Sequence, residues 1–198
     1  MIDLHAKDII GEGTARVVYR HPDDDKKCIK VAMREKLQLK KKRRGFRGLF
    51  LSLSHFDPTQ SEIALIQKLE RRLGDITFEY LPRFYGTVET SVGKGSVFER
   101  VGKENLQTYL KTNRFDARME SKLVAILDFF IEKGIHFSDW RASNFVVQEN
   151  ADQSDSKIFA VDGFEYTEFI PITRISYFSR KKMIRRSAKM ITRLKSDS

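Results

Sequence analysis

The sequence contains one cysteine, Cys28, among its 198 residues. A single cysteine excludes an internal disulfide framework and a cysteine-rich zinc site, and it suits a reducing compartment. No run approaches 18 uncharged apolar residues, and the first residues lack the apolar stretch of a signal peptide. These absences predict a soluble, cytoplasmic protein without a membrane span.

Internal repeats and proline-rich linkers are also missing from the chain. In contrast, 40% of the residues are hydrophobic and 11% are aromatic, which predicts a folded globular chain rather than a disordered one. The length suits one domain or two small lobes with a hydrophobic core.

The net charge of +10 is concentrated in two segments of the chain. Residues 34–47 contain eight Lys or Arg and one Glu, and residues 174–198 contain nine Lys or Arg and one Asp. This uneven distribution predicts local anion binding rather than a uniformly cationic protein. We expect segment 34–47 to be a mobile basic loop. It lacks an interleaved base-reading pattern, so we expect no specific nucleic-acid partner.

The order of apolar runs and turn residues predicts strands, a helix, further strands, and then helices with a small β-element. Residues 8–32 contain short strands separated by turns, and residues 83–101 contain two strands joined by a turn at 93–95. Helices are predicted from an N-cap at Asp57 to Gly74, and from Asp116 to Gly134. This order is typical of a two-lobed α+β fold.

A glycine-containing turn, Ile-Gly-Glu-Gly-Thr-Ala-Arg-Val-Val, occupies residues 10–18. Gly11 and Gly13 would allow the backbone to approach phosphate oxygens closely, and Val18 would cover an adenine ring. A Gly-x-Gly hairpin with a purely structural role is the alternative. Arg16 occupies the position of a third glycine, where its side chain would either reach phosphates or fill the pocket.

Lys30 lies within the apolar strand sequence Cys-Ile-Lys-Val-Ala. Because buried charges need a partner, we expect it to pair with Glu62 near the start of the first predicted helix. A strand lysine paired with a helix glutamate positions the α- and β-phosphates of a nucleotide. The alternative is an edge-strand lysine and a solvated glutamate.

The most informative feature is the sequence His-Phe-Ser-Asp-Trp-Arg-Ala-Ser-Asn at residues 136–144, followed by two short apolar runs, 145–147 and 158–161, and then by Asp162. The two runs predict paired strands. In phosphoryl transfer, an Asp orients the attacking hydroxyl, and an Asn and a second Asp hold magnesium. Asp139 is the candidate catalytic residue, and Arg141 is a candidate for neutralising the transferred phosphoryl group. Asn144 and Asp162 are candidate metal ligands. The alternative is a structural role for all of them as turn-forming residues.

These motifs resemble the catalytic and metal-binding loops of protein-kinase-like enzymes. The chain is also similar to the bacterial YrbL family, which is associated with the PhoP regulatory network and has a kinase-like fold. The similar segments are Ile-Gly-Glu-Gly, Arg-His-Pro-Asp-Asp, Leu-Pro-Arg-Phe-Tyr-Gly-Thr-Val-Glu, Ser-Val-Phe-Glu and Val-Asp-Gly, which span most of residues 8–165. The resemblance implies ATP and Mg²⁺ binding, a cytoplasmic location, and an adenine-binding hinge at Glu99 and Val101.

Three features differ from complete kinases. The metal-binding triplet is Asp162-Gly163-Phe164 rather than Asp-Phe-Gly, Arg16 replaces the third glycine of the turn, and 36 residues follow Asp162. These differences predict a minimal C-lobe without a conventional peptide-docking platform.

Residues 180–195 interleave eight basic residues with apolar ones, including Met183, Ile184 and Ile191. This pattern predicts either the last helix of a short C-lobe, with its apolar face inward, or a basic amphipathic helix on an anionic membrane or lipopolysaccharide precursor. We favour the first interpretation.

Together these features predict a protein-kinase-like α+β fold. We expect an N-lobe at about residues 1–99, a hinge at about 99–103, a truncated C-lobe at about 104–173 and a basic helix at about 174–195. The leading function is ATP- and Mg²⁺-dependent phosphoryl transfer to a small molecule, a lipopolysaccharide precursor or a protein. The competing interpretation is a non-catalytic nucleotide-binding regulator that acts through its basic surfaces.

Overall fold

The computed structural model describes residues 1–13, 15–43, 45, 50–149, 155–164 and 177–197. The chain divides into two compact units. The first contains Met1–Ile76 and Pro82–Arg100, and the second contains Thr77–Leu81 and Val101–Ser198. Among the described residues, none of the helices has the length and apolar character that a membrane span requires.

The first unit is built on a five-stranded antiparallel sheet. Its strands are β1 (Ile9–Glu12), β2 (Arg16–Arg20), β3 (Lys27–Ala32), β4 (Phe84–Thr90) and β5 (Gly93–Glu99), in the order β1-β2-β3-β5-β4. Leu4, Tyr19, Ile29, Val31 and Val97 form a buried hydrophobic cluster. Because side chains alternate along a strand, Ile29 and Val31 lie on the opposite face of β3 from Lys30.

The turn predicted at residues 93–95 is wrong, because β5 already begins at Gly93. The reversal between β4 and β5 occurs at Ser91 and Val92, where the backbone pairing of Thr90 with Gly93 closes a two-residue hairpin. Gly95 instead serves packing within the sheet. A Cβ atom there would lie 2.4 Å from Cγ2 of Ile29, so only glycine fits at this position.

In the described residues, two helices belong to the first unit, α1 (Arg34–Arg43) and α2 (Pro58–Leu73). The predicted mobile loop at 34–47 is therefore wrong for residues 34–43, and the remaining positions 44, 46 and 47 lie outside the described residues. The segment consists mostly of Lys, Arg, Leu, Gln and Glu, which are all good helix formers, and it buries Leu37. A run of charged residues is also typical of a solvated loop, so the sequence pattern did not indicate a helix here.

The prediction for α2 is confirmed at both ends. The Asp57 carboxylate accepts a hydrogen bond of 2.9 Å from the Thr59 N–H, which caps the first turn. Gly74 follows the last turn with a φ of +63°, a conformation that favours glycine.

The second unit contains three helices and a three-stranded antiparallel sheet in the described residues. The helices are α3 (Leu106–Tyr109), α4 (Ala117–Glu132) and α5 (Tyr177–Ser196), and the strands are β6 (Glu104–Asn105), β7 (Phe145–Glu149) and β8 (Ser156–Ala160), in the order β6-β7-β8. Both β7 and β8 match the apolar runs that predicted paired strands. Helix α4 starts at Asp116 as predicted, and the Asp116 carboxylate caps it by accepting a bond of 2.8 Å from the Met119 N–H.

Helix α5 packs against the rest of the second unit. Its buried residues are Met183, Ser187, Met190 and Ile191. Its predicted role as a helix with an inward apolar face is thus confirmed, although residues 174–176 lie outside the described residues. The expectation that Ile184 is buried is wrong, because 44% of this residue is exposed. Ile184 lies about 100° around the helix from Met183 and about 20° beyond Ile191, so it borders the buried stripe at its exposed edge.

Candidate functional site

The candidate residues fall into two groups, one in each unit. Those of the first unit are Gly11, Gly13, Val18, Lys30, Glu62 and Glu99, and those of the second unit are Val101, Asp139, Arg141, Asn144 and Asp162.

Lys30 and Glu62 form the ion pair that the sequence predicts. Nζ of Lys30 lies 2.5 Å from Oε1 of Glu62, and the two side chains are only 6% and 4% exposed. The same nitrogen lies 4.2 Å from the centre of the Phe98 ring, a favourable cation–π distance. A lysine in the middle of β3 is therefore accommodated by a carboxylate from α2 and an aromatic ring from β5.

Arg16 is a second buried cation on the same carboxylate. Its Nη1 lies 2.6 Å from Oε2 of Glu62 and 3.4 Å from the hydroxyl oxygen of Thr59. Each oxygen of the Glu62 carboxylate thus binds one cation. The sequence left two roles open for Arg16, and the structure gives it a third role, which is to anchor α2 to the sheet.

The position of Arg16 follows from the strand register. Val18 pairs with Lys30 across β2 and β3, and Arg16 lies two residues before Val18. Side chains two apart in a strand share a face, so Arg16, Val18 and Lys30 all point towards Glu62 on α2. The alternation of β2 was the signal that could have identified Arg16 as a partner of Glu62.

The glycine-containing turn has room for side chains within the first unit. A Cβ atom at Gly11 would lie 3.8 Å from Cβ of Val18, and one at Gly13 would lie 3.6 Å from the carbonyl oxygen of Arg16. Both distances are ordinary van der Waals contacts, and neither glycine has a positive φ. Neither the backbone conformation nor the packing of the described residues therefore demands glycine at these two positions.

Glu99 ends β5 with its backbone N–H already bonded. This N–H donates to the carbonyl oxygen of Arg83 at 2.8 Å, and Oε2 of Glu99 accepts from the N–H of Arg83 at 3.2 Å. The carbonyl oxygen of Glu99 lies 3.9 Å from Sγ of Cys28, a weak thiol contact. Burial raises the pKa of the Cys28 thiol, which keeps it protonated. Val101 is buried and is the first residue of the longer segment of the second unit.

In the second unit, backbone and side-chain hydrogen bonds join the 138–144 segment to Gly163. The N–H groups of Ser138 and Asp139 donate to the carbonyl oxygen of Gly163 at 3.1 and 3.3 Å. Nδ2 of the buried Asn144 donates to the carbonyl oxygen of Asp139 at 2.8 Å. This bond fixes the orientation of the amide, so Oδ1 of Asn144 is left as an acceptor of the kind that binds hard cations.

Gly163 explains the order Asp-Gly-Phe in this chain. Its φ is +99°, and a Cβ atom would lie 2.9 Å from Cζ of Phe137 and 3.0 Å from both Nδ2 of Asn144 and the carbonyl oxygen of Asp139. The residue directly after Asp162 therefore has to be glycine. The following Phe164 packs its ring against Phe137, with 5.0 Å between the ring centres.

Asp162 itself is exposed at the end of the strand pair. Its Oδ1 accepts a bond of 2.8 Å from the N–H of Gly163, which orients the carboxylate. The strand end is held to the 138–144 segment because the N–H of Val161 donates to the carbonyl oxygen of Asn144 at 2.9 Å. Asp139, Asn144 and Asp162 thus belong to one hydrogen-bonded arrangement, as their spacing suggested.

Asp139 and Arg141 form an exposed, fork-shaped ion pair. Nε of Arg141 donates to Oδ1 of Asp139 at 2.8 Å, and Nη2 of Arg141 donates to Oδ2. The side chains are 36% and 69% exposed, respectively. The hydrogen bond to Asp139 raises the pKa of the Arg141 guanidinium above its ordinary value, and the charge of Asp162 adds to this effect.

Comparison with solved structures identifies the class of fold. The chain is similar to the protein kinase Rad53, in a crystal structure of residues 1–466 in complex with AMP-PNP, with a TM-score of 0.55. The match covers 81% of this chain and 38% of the Rad53 chain, at 14% sequence identity. At this level of identity the similarity concerns the fold, which is protein-kinase-like as the sequence predicts.

The family follows from the sequence comparison. The family model described as "PhoP regulatory network protein YrbL" matches residues 2–195, so the chain belongs to this family. It is 32% identical over 99 residues to YrbL of Escherichia coli (strain K12) and, equally, to YrbL of Shigella flexneri. These matches cover 50% of this chain and 39% of the length of each relative.

Proposed function

We propose that the protein transfers the γ-phosphoryl group of ATP, with Mg²⁺, to a hydroxyl group of an acceptor. The observation that carries this proposal is the hydrogen-bonded arrangement of Asp139, Asn144 and Asp162 in the second unit. These three residues provide the two types of group that phosphoryl transfer needs, a carboxylate for the acceptor and oxygen ligands for magnesium.

Asn144 and Asp162 fit the requirements of a magnesium site. The amide of Asn144 is oriented through its nitrogen, so Oδ1 can serve as a ligand, and Asp162 supplies an exposed carboxylate. Two protein ligands suit Mg²⁺, which usually keeps several waters and binds substrate phosphates as well. When bound, the ion would neutralise charge on the phosphates.

Lys30 would bind nucleotide phosphates, as the lysine of a strand in kinase-like folds does. Glu62 holds its ammonium group in place, and Arg16 holds Glu62 from the other side. Gly11 and Gly13 agree with this role, because glycine is not demanded there by the fold and would admit phosphates close to the backbone. Val18 would cover the adenine ring, and the backbone at Glu99 and Val101 would bind its edge.

Asp139 would receive the acceptor. The hydroxyl oxygen attacks the γ-phosphorus, the bond between that phosphorus and the bridging oxygen breaks, and ADP leaves with the electron pair. The hydroxyl proton passes to a carboxylate oxygen of Asp139. Arg141 uses one site on each oxygen, and an ionised carboxylate has about four lone-pair sites, so Asp139 can accept the acceptor hydroxyl while Arg141 stays bound. The proposal requires a compartment with ATP, which agrees with the expected cytoplasmic location.

A second candidate function is nucleotide binding without catalysis. The observation that favours it is the fork-shaped pair, because Arg141 contacts both oxygens of the proposed catalytic carboxylate. In that case the basic surfaces of the protein would contact a partner. The two functions differ in whether Asp139 affects turnover.

The test measures binding and turnover separately. Calorimetry should show clearly weaker ATP binding in excess chelator than with Mg²⁺, and Asp162→Ala should remove most of this difference. Asp139→Ala should leave ATP binding nearly intact and lower transfer to acceptors in cell extract by about 100-fold or more, as for a positioned general base.

Asp128→Ala is the matched control, because Asp128 is an exposed carboxylate on α4. It should behave as the wild type in both assays. Equal ATP affinity with and without Mg²⁺ would contradict the proposal. Absence of turnover by the wild type beyond that of Asp139→Ala, together with Mg²⁺-dependent binding, would instead favour the non-catalytic function.

A further inference from the structure

The second unit contains a cavity of about 690 Å³ beside the Asp139 carboxylate. One wall is the 138–144 segment and the other is α5, which contributes Arg186, Lys189 and Arg193. Cavities of roughly 300–1,000 Å³ are typical of small-molecule sites. Asp139 and Arg141 also line it, so a molecule bound there would lie next to the proposed catalytic carboxylate.

The three cations of α5 lie on one face of the helix. Positions 186, 189 and 193 are three and four residues apart, which places their side chains in a row. At 1.5 Å per residue, the row extends over about 10 Å. Nη1 of Arg186 donates to the carbonyl oxygen of Ser138. This bond orients the guanidinium group and leaves its other N–H donors available.

The cavity lining has more positive than negative charge. It contains two carboxylates, and each already has a cation: Asp139 pairs with Arg141, and Asp197 lies 3.6 Å from Nε of Arg193. In the part of the chain that the structure describes, neither Arg186 nor Lys189 has a carboxylate partner. A negatively charged ligand would therefore provide the partner that Arg186 and Lys189 lack.

We propose that this cavity binds the acceptor through a phosphomonoester group that Arg186 and Lys189 recognise. A phosphomonoester carries nearly two negative charges and three acceptor oxygens, which suits a guanidinium and an ammonium one helical turn apart. The apolar surfaces of Trp140 and Met190 would contact the carbon skeleton, and a hydroxyl of the same molecule would face Asp139. The acceptor role rests on the proposed function, whereas phosphate binding does not.

Phosphate binding can be measured without ATP. Calorimetry at constant ionic strength compares glucose 6-phosphate with glucose, and the fluorescence of Trp140, the only tryptophan, provides a second signal. A parallel arm measures binding to phosphatidylcholine vesicles with and without phosphatidic acid. Binding of glucose 6-phosphate would indicate a free metabolite, and binding only to phosphatidic acid would indicate a lipid headgroup.

Lys189→Gln should weaken binding of the phosphorylated probe about tenfold, as expected for one lost hydrogen bond to a charged group. Lys189 is exposed, so this change leaves the packing of α5 intact. Lys181→Gln is the control, because Lys181 is an exposed cation on another face of α5 and does not line the cavity. It should bind as the wild type does.

Three results would overturn the proposal: no preference for phosphorylated probes, no binding in either arm, or equal affinity of wild type and Lys189→Gln. These results are distinguishable from a failure of the proposed function. Normal Mg²⁺-dependent ATP binding without phosphate binding would refute the cavity alone. Phosphate binding that depends on Lys189, in a protein without any turnover, would refute the proposed function alone.

Discussion

The two units use the same chemistry, a carboxylate bound by basic side chains, in opposite environments. In the first unit, Glu62 is 4% exposed and holds Arg16 and Lys30, which are both buried. In the second unit, Asp139 and Arg141 form their pair at the surface. The first arrangement lies in the interior of the fold, and the second remains accessible to a ligand.

Because of their environments, the two ion pairs contribute very differently to the free energy of unfolding. Removing one partner of a buried ion pair costs about 3–5 kcal/mol, because a charge stays behind in a poorly solvated place. An exposed pair contributes about 0–1 kcal/mol, because water and salt screen it. Glu62 is therefore important for folding of the first unit, while Asp139 can be changed with little structural cost.

The largest effect is expected for Glu62→Gln. This change removes the charge that Arg16 and Lys30 share, so it should destabilise the first unit by about 3–5 kcal/mol. Cys28 provides the measurement, because it is the only cysteine and is buried in the sheet beside Lys30. Its raised pKa and its burial make alkylation depend on opening of the sheet, so the alkylation rate should rise strongly.

Glu70→Gln is the matched control, because Glu70 is an exposed glutamate on the same helix. Its alkylation rate should stay at the wild-type value. If Glu62→Gln also reacts at the wild-type rate, Glu62 does not hold the sheet and helix together, and the contrast between the units disappears.

An intermediate effect is expected for Gly163→Ala. The φ of +99° and the close approach of Phe137 and Asn144 should cost about 1–3 kcal/mol, as for other strained positions. Urea unfolding followed by Trp140 fluorescence reports this change, because Trp140 packs on Phe137 with 5.1 Å between ring centres.

Gly74→Ala separates strain from crowding. Gly74 also has a positive φ of +63°, but nothing lies within 4 Å of a Cβ atom there. Gly163→Ala should therefore be the more destabilising of the two. If the two variants lose equal amounts of stability, crowding of the added Cβ atom at Gly163 contributes nothing beyond the strain of the positive φ.

The smallest effect is expected for Arg141→Met. The exposed pair with Asp139 is screened by solvent. The shift of the urea midpoint should therefore correspond to a change in the free energy of unfolding below about 1 kcal/mol. Raising the salt concentration should reduce the difference further. A loss of several kcal/mol that persists in high salt would show that this pair behaves like the buried one.

Local features of the fold could be predicted because short segments of sequence decide them. Asp57 was recognisable as a helix cap and Asp116 as the start of a helix, and the apolar runs at β7 and β8 predicted strands. Lys30 was predicted to be paired because an apolar strand leaves a lysine few alternatives. The proximity of Asp139 and Asn144 also followed from spacing, since five residues of chain keep them close.

Other features could not be read from local patterns. Helix α1 was missed because its many charges suggested a solvated loop, although the same residues favour a helix. Gly95 was interpreted as a turn residue, while its actual constraint is the Ile29 side chain on a neighbouring strand. The exposure of Ile184 depended on which face of α5 met the second unit.

Sequence alone sufficed to locate the starts of α2 and α4, the paired strands β7 and β8, and the need of Lys30 for a partner, because these properties depend on neighbours within a few positions. Three features depend instead on tertiary packing: Arg16 shares Glu62 with Lys30, Gly163 excludes a side chain, and Arg186 and Lys189 face Asp139 across a cavity. Each of these depends on atoms that lie at least 19 residues apart in the chain. Packing brings them together, whereas local periodicity gives only the face of an element on which a side chain lies, as it does for Arg16 on β2.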